Sequence, residues 1–355
     1  MKIIVALDSF KGCLSSAEAN QAAAEGILLL YPQAEVIQIP VSDGGEGFLD
    51  ALSASVSPVV TRTVATHDAY MRPIQAKYLI HHNTAIIEVA RIIGLPLVSD
   101  IKPAIMQATS YGVGEVLADA IDCGCTDFII GLGGTATCDF GEGMMEGWKV
   151  TGERLRVGDR RSGMGWKVTG ASDVTSPLVG ENGAARLFAP QKGATPEEVE
   201  LLEQRAEKIA RQNRGTMYRD CSMLPGAGAA GGLGYALMQY FDAEIRSGAD
   251  VLFDLIHFEE RMAGADLIIT GEGRSDRQTL LGKLPHSILR RTQEQGIATW
   301  LVAGQIDDSH ELLQAGFEKV ACINPTGTPL SEAIQPETAR KNIQATVRRL
   351  LGLNV

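Results

Sequence analysis

LIITGEGRSDRQTLLGKLP, Leu267–Pro285, concentrates strand signal, glycine and charge in a few residues. Asp266 to Thr270 reads as a short buried strand, apolar and β-branched, cut off by glycine. Gly271 and Gly273 permit close backbone approaches that a Cβ would forbid. Glu272, Arg274, Ser275 and Asp276 follow, then Lys283, Pro285 and an amphipathic helix over 286–293. Open α/β sheets present sites on strand ends of this kind, at their carboxyl edge. The same residues would also make an ordinary strand-to-helix turn with a surface ion pair.

Both ends of the chain repeat the pattern. Lys2–Leu7 reads as a strand closed by Asp8-Ser9-Phe10-Lys11. Ser15 or Ser16 can cap the next helix, with Glu18 completing an approximate capping box and Pro32 stopping it. A strand over 35–41 ends in Ser42-Asp43-Gly44-Gly45-Glu46, and a helix over 48–54 follows. This βαβα order predicts a parallel sheet. Strands at 299–302 and 319–323 and a helix over 337–351 close the chain in the same style. Between the ends, 59–65, 74–81 and 84–90 alternate as antiparallel strands do. A helix over 111–121, a strand at 127–131, a short strand after Pro177 and a helix opened by Thr195-Pro196-Glu197-Glu198 follow. The expected fold is therefore α/β with two domains. A doubly wound parallel-sheet domain is built from residues 1–60 and 246–355, and a mixed α/β domain over 61–245 is inserted into it. The hexamer GWKVTG occurs at both 147–152 and 165–170 and suggests a local duplication without an evident role.

The 355 residues suit two domains, and 45% hydrophobic content with 21% charge is that of a folded soluble chain. A net charge of −11 argues against nucleic acid or anionic membrane as a partner. The six cysteines form no CxxC pair, which favours reduced thiols. The N-terminal apolar run is too short for a signal peptide, no run reaches membrane-spanning length, and a cytoplasmic location is expected.

Gly131–Ala136 fits G-x-G-x-x-A and Gly226–Gly231 fits G-x-G-x-x-G. The first lacks a second strand ending in an acid, and the second follows proline, so neither supports a dinucleotide fold. Walker A, protein-kinase and zinc patterns are absent. Five glycine-flanked acidic loops recur, carrying Asp8, Asp43, Asp139, Asp173 and the Glu272–Asp276 group. Phosphoryl transfer needs such an inventory: carboxylates for Mg²⁺, N–H groups and cations for phosphates, and a base for the acceptor hydroxyl. Aspartate and glycine are also simply good turn formers.

Read together, ALDSFKGCLSSAEA, PVSDGGEGFLDAL, GLGGTATCDFGEGM, DVTSPLVGENGA, APQKGATPEEVE, PGAGAAGGLGYAL and GEGRSDRQTLLGKLP resemble the bacterial type I glycerate kinase family over nearly the whole chain. The resemblance implies ATP- and Mg²⁺-dependent phosphorylation of D-glycerate, commonly at the 2-hydroxyl, in a cleft between two α/β domains. On that basis Gly133, Gly134, Thr135, Thr137, Gly228 and Gly231 are expected at the ATP phosphates, aided by Lys192 or Lys283. Asp43, Asp276 and Glu272 are expected at Mg²⁺. Arg274 or Lys11 would hold the glycerate carboxylate, and Asp173 or Asp139 would be the general base. A glycerate 3-kinase, a kinase of another small hydroxy acid, or a non-catalytic nucleotide-binding regulator are the alternatives, as a monomer or homodimer. The chain departs from the family pattern at Leu7, Cys138, Phe140 and Ser176, and is shorter around the doubled hexamer.

Overall fold

A computed structural model describes residues 1–100, 104–151, 165–213 and 219–352. Contacts divide the chain into two compact units. One is Met1–Asp43, Asp50–Val56 and Ala249–Val355; the other is Gly44–Leu49 and Ser57–Gly248.

The first unit is a five-stranded, fully parallel sheet. Its strands are β1 (Lys2–Leu7), β2 (Glu35–Gln38), β9 (Leu267–Ser275), β10 (Ala298–Ile306) and β11 (Lys319–Cys322). They lie in the order β11-β10-β9-β1-β2. Ile3, Val5 and Leu7 face a helix over Ser16–Leu30 through Ala19, Ala22, Ala23 and Ile27, and a helix over Pro336–Gly352 through Ala339, Ile343 and Val347. Leu301 takes the opposite face with Leu289, Leu312 and Phe317. Helices thus cover both faces, which is why these strands read as nearly continuous apolar runs. The capping box forms as expected: Ser15 Oγ accepts from the Glu18 N–H at 3.3 Å, and Glu18 Oε2 accepts from the Ser15 N–H at 2.9 Å. At Gly26 the two outer helices cross so closely that a Cβ would lie 2.8 Å from the Gln344 carbonyl oxygen.

The boundary that bears on the site differs from expectation. β9 does not stop at Gly271 but continues to Ser275, pairing Glu272, Arg274 and Ser275 with Ala303, Gln305 and Ile306 of β10. A strand backbone extends through glycine whenever a neighbour supplies the ladder, and at Gly271 a side chain would collide with the Val302 carbonyl. Glu272, Arg274 and Ser275 are therefore held on a strand.

The second unit carries a six-stranded mixed sheet in the order β3-β4-β5-β6-β7-β8. These strands are β3 (Val60–His67), β4 (Pro73–His81), β5 (Thr84–Glu88), β6 (Asp127–Gly131), β7 (Lys167–Ala171) and β8 (Glu244–Arg246). β3, β4 and β5 pair antiparallel, and β5 through β8 run parallel. Ile87, Phe128 and Ile130 pack with Val113, Val116 and Leu117 of the helix Tyr111–Asp122, with Trp148, and with Leu233 and Leu237. A second core gathers on the helix Pro196–Asn213 through Val199, Leu202, Ala206 and Ile209. Its Thr195–Glu198 capping contacts match the start signal in the sequence. After Pro177 the chain forms a short helix, Ala184–Phe188, in place of the expected strand.

The two copies of GWKVTG adopt different structures. Residues 147–151 end the helix Glu142–Thr151, whereas Lys167–Thr169 of the second copy lie in β7. Gly152 and the shortened stretch to residue 164 lie outside the described residues. No described helix is long and apolar enough to cross a membrane.

Candidate active site

In the first unit, β1 connects to β2 on one side while β9 and β10 build out on the other. The strand order therefore reverses between β1 and β9, and ligands of open α/β sheets bind beyond the carboxyl ends of strands at such a point. Asp8 follows β1 immediately, Glu272 lies on β9, and Asp43 follows β2. Asp8 is buried, with its Oδ1 accepting from the Ser9 N–H at 2.7 Å. Burial first, then the charge of Asp43, push the Asp8 carboxyl up to about 7, against the pull of Ser9 and Lys11. Lys11 Nζ stands 3.5 Å from Asp43 Oδ2, and that carboxylate, outweighing partial burial, raises the ammonium above its ordinary value.

Glu272 Oε1 accepts from Ser275 Oγ at 3.0 Å and Thr279 Oγ1 at 2.7 Å. Burial nonetheless outweighs these bonds and raises its pKa. Asp276 caps the 3₁₀ turn Arg277–Leu281, its Oδ1 accepting from the Gln278 N–H at 2.8 Å. Lys283 Nζ lies 3.9 Å from Glu272 and 3.8 Å from Asp276. The edge thus gathers Asp8, Asp43, Glu272 and Asp276 around Lys11 and Lys283. Arg274 lies 3.9 Å from Asp276, but its guanidinium forks onto Asp307 at 2.8 and 2.7 Å. Among the described residues no three carboxylate, histidine or cysteine groups already form a cation cage. The donor set still suits a hard divalent cation. It is all oxygen, and burial with the Asp43 charge disfavours the ionised form of Asp8, a cost that a bound cation would offset.

In the second unit, Lys192 ends the 3₁₀ turn Pro190–Lys192 and is buried. Its Nζ donates to Thr135 Oγ1 at 3.1 Å and to the Thr137 carbonyl at 2.7 Å. Burial brings the ammonium down to about 8, opposed by Cys138 and Asp139. Thr137 Oγ1 is buried without a hydrogen-bond partner. Lys192, Thr135 and Thr137, expected together, are thus brought together.

The expected phosphate glycines separate into two groups. Gly134, with φ +71°, meets only the Ala90 methyl at 3.4 Å and leaves a cradle. A side chain at Gly133 would collide with the Gly45 backbone, at Gly228 with Ser176 and Pro177, and at Gly231 with the Thr137 carbonyl. Those three glycines let loops lie on one another. Gly228 and Gly231 are buried, and the space beside them is filled by protein.

The acids of this unit divide similarly. Asp139 is buried, and its Oδ2 accepts from the Ser110 N–H at 2.7 Å, Ser110 Oγ at 2.9 Å, the Gly143 N–H at 3.1 Å and Thr109 Oγ1 at 3.4 Å. Its Oδ1 accepts from the Gly141 N–H at 3.2 Å. Asp173, beyond β7, is exposed, with Oδ1 accepting from the Gly248 N–H at 3.0 Å. Two acids without an expected role emerge. Asp8, from the first of the five acidic loops, is one. The other is Glu88, at the end of β5, which is buried and accepts from the N–H groups of Gly47 at 3.3 Å and Leu49 at 3.0 Å.

Comparison with known proteins identifies the family. The profile of the Glycerate kinase family matches residues 3–154 and 155–354. The chain is 35% identical to the glycerate kinase of Bacillus subtilis (strain 168), over 98% of this chain and 96% of that one. It is 34% identical to the glycerate 2-kinase of Escherichia coli (strain K12), over 98% of each. The crystal structure of a putative glycerate kinase 2 from Salmonella typhimurium LT2 superposes with a TM-score of 0.81 at 32% identity, over 99% of this chain and 98% of that one. A parallel sheet with acids at its switch point, a buried lysine on a glycine loop, and full-length similarity together place this chain in the glycerate kinase family.

Proposed function

We propose that this protein transfers the γ-phosphoryl group of Mg-ATP to the 2-hydroxyl of D-glycerate. The carboxylate cluster at the β1/β9 switch point carries this reading. Asp43, Glu272 and Asp276, joined by Asp8, are the groups that would hold Mg²⁺. When bound there, the cation supplies neutralisation of phosphate charge as it develops during transfer.

The chain's own groups take the remaining roles. Lys283, beside Glu272 and Asp276, is positioned to meet phosphate oxygens. Lys11 is the better candidate for the glycerate carboxylate, because its contact with Asp43, at 3.5 Å, is looser than the contacts of Arg274 with Asp307, at 2.8 and 2.7 Å. In the second unit Gly134 and the Thr135–Thr137 segment, braced by Lys192, offer N–H and hydroxyl donors to an anion. Asp173 is the proposed base, since it is exposed, whereas Asp139 is buried at the starts of two helices. Gly228 and Gly231 would serve to seat the loops of this unit against one another.

Phosphorus NMR of the protein with Mg-ATP and a panel of hydroxy acids tests the reading. 2-Phosphoglycerate from D-glycerate is expected. Sole formation of 3-phosphoglycerate would move the acceptor hydroxyl, and phosphorylation of another acid alone would replace the substrate. ATP binding without turnover on any acid would leave a nucleotide-binding regulator.

A further inference from the structure

We infer that β3 is a self-association edge, pairing antiparallel with β3 of a second copy. An edge strand exposes a row of unpaired N–H and C=O groups, and folded proteins blunt such edges by shortness, proline, charge or bulges. The other sheet ends are short: β2 and β11 have 4 residues each and β8 has 3. β3 has 8, pairs without a bulge to β4 along its length, and contains neither proline nor an acid. Val60 to Thr63 and Ala65 are exposed.

The chemistry of the strand selects a second copy as the occupant. Its sequence, VTRTVATH, is rich in threonine and valine, the residues that pair well across antiparallel strands. Its one arginine, Arg62, is turned onto Asp119, with Nε 3.0 Å from Oδ2 and a terminal nitrogen 2.9 Å from Oδ1. The charge is therefore neutralised within each copy. A two-fold axis at Thr63 sets Thr63 against Thr63, Arg62 against Val64 and Thr61 against Ala65, with no like charges opposed. Such an isologous contact closes after two copies and leaves no further edge of this kind. One strand pair falls short of the roughly 800 Å² a side of a standard interface, so the dimer is reversible and concentration-dependent.

Sedimentation equilibrium of the full chain, from low to high micromolar, tests the inference beside hydrogen exchange. The dimer fraction should rise with concentration while alternate β3 amides slow. Thr63→Lys with Ala65→Lys places like charges across the two-fold and should weaken dimerisation at least about tenfold, with the thermal midpoint unchanged. Thr61→Glu, a single exposed change on the same edge, should weaken it independently. A monomer at every concentration, a dimer indifferent to all these changes, or a dimer without β3 protection would each overturn it. The inference is independent of the proposed catalysis.

Discussion

Asp8 and Asp139 are two buried aspartates in glycine-flanked loops, 8% and 3% exposed. In sequence they look alike, yet their surroundings are opposite. Asp139 receives donors from Ser110, Thr109, Gly141 and Gly143, at the starts of the helices Tyr111–Asp122 and Glu142–Thr151. A carboxylate there satisfies orphan N–H groups and meets two positive helix ends. Asp8 accepts from Ser9 and faces the charges of Asp43 and Glu272. A buried carboxylate among its own kind is held at a cost, and such frustration marks functional sites more often than structural ones. Burial alone does not separate a clamp from a reactive group; the donor count does.

The largest expected effect breaks the clamp. Asp139→Ala strands three backbone N–H groups and should cost about 3 kcal/mol of stability or more. Urea denaturation reads this directly. A loss under about 1 kcal/mol would mean that water replaces the carboxylate, and the contrast with Asp8 would collapse.

Asp8→Asn should do the reverse. The amide oxygen can still accept from Ser9, so folding is kept, but the switch point loses a charge. If the cluster holds Mg²⁺, turnover with glycerate should fall about 100-fold or more, a few kcal/mol of transition-state stabilisation. Steady-state kinetics with a magnesium titration would show a raised metal requirement. Near-normal turnover would remove Asp8 from the site.

The same variant isolates a pH effect. Asp8 titrates near 7 in the folded chain and near 3.8 when unfolded. Between those values the folded state binds more protons, so this group's contribution is complete below about pH 4 and is lost as pH rises through 7. Wild type should therefore lose stability relative to Asp8→Asn across that window, by at most ~1.4 kcal/mol per pH unit. Denaturation midpoints of the pair from pH 4 to 8 measure it; parallel curves would place Asp8 in an ordinary environment.

This contrast also explains what could be read from the sequence. The parallel order, the Ser15 capping box, the helix start at Thr195 and the antiparallel insert were legible because they depend on local spacing. The fate of each acidic loop was not. The Ser110 donors of Asp139 come from 29 residues away, and the neighbours that shift Asp8 are Asp43 and Glu272. Gly228 and Gly231 show the same limit: their motif is local, but the atoms beside them belong to residues 176–177 and 137–138. GWKVTG makes the limit plain. Gly147 lies against the Tyr111 backbone at a helix crossing, where a Cβ would clash, while Gly165 has nothing within 4 Å. Trp148 and Trp166 meet edge to face, 5.7 Å apart at 80°, one from the helix and one just before β7. Identical hexamers take the structure that their neighbours complete.

The smallest expected effect sharpens the account of Asp8 itself. Three causes raise its pKa: burial first, Asp43 second and Glu272 last. Asp43→Asn removes only the second. The Asp8 carboxyl should therefore titrate lower than in wild type yet remain above its ordinary value, because desolvation and the Glu272 charge persist. Carbon-13 NMR of the Asp8 side chain across pH 3 to 9 separates the Asp43 contribution from the others. A return to the ordinary value would make Asp43 the whole cause and burial incidental. No change would show that the two carboxylates do not sense each other, removing the crowding that fits this cluster to a cation. A partial fall keeps both terms: a dry pocket that disfavours one charge, and a second carboxylate that makes the pair a place for a metal ion.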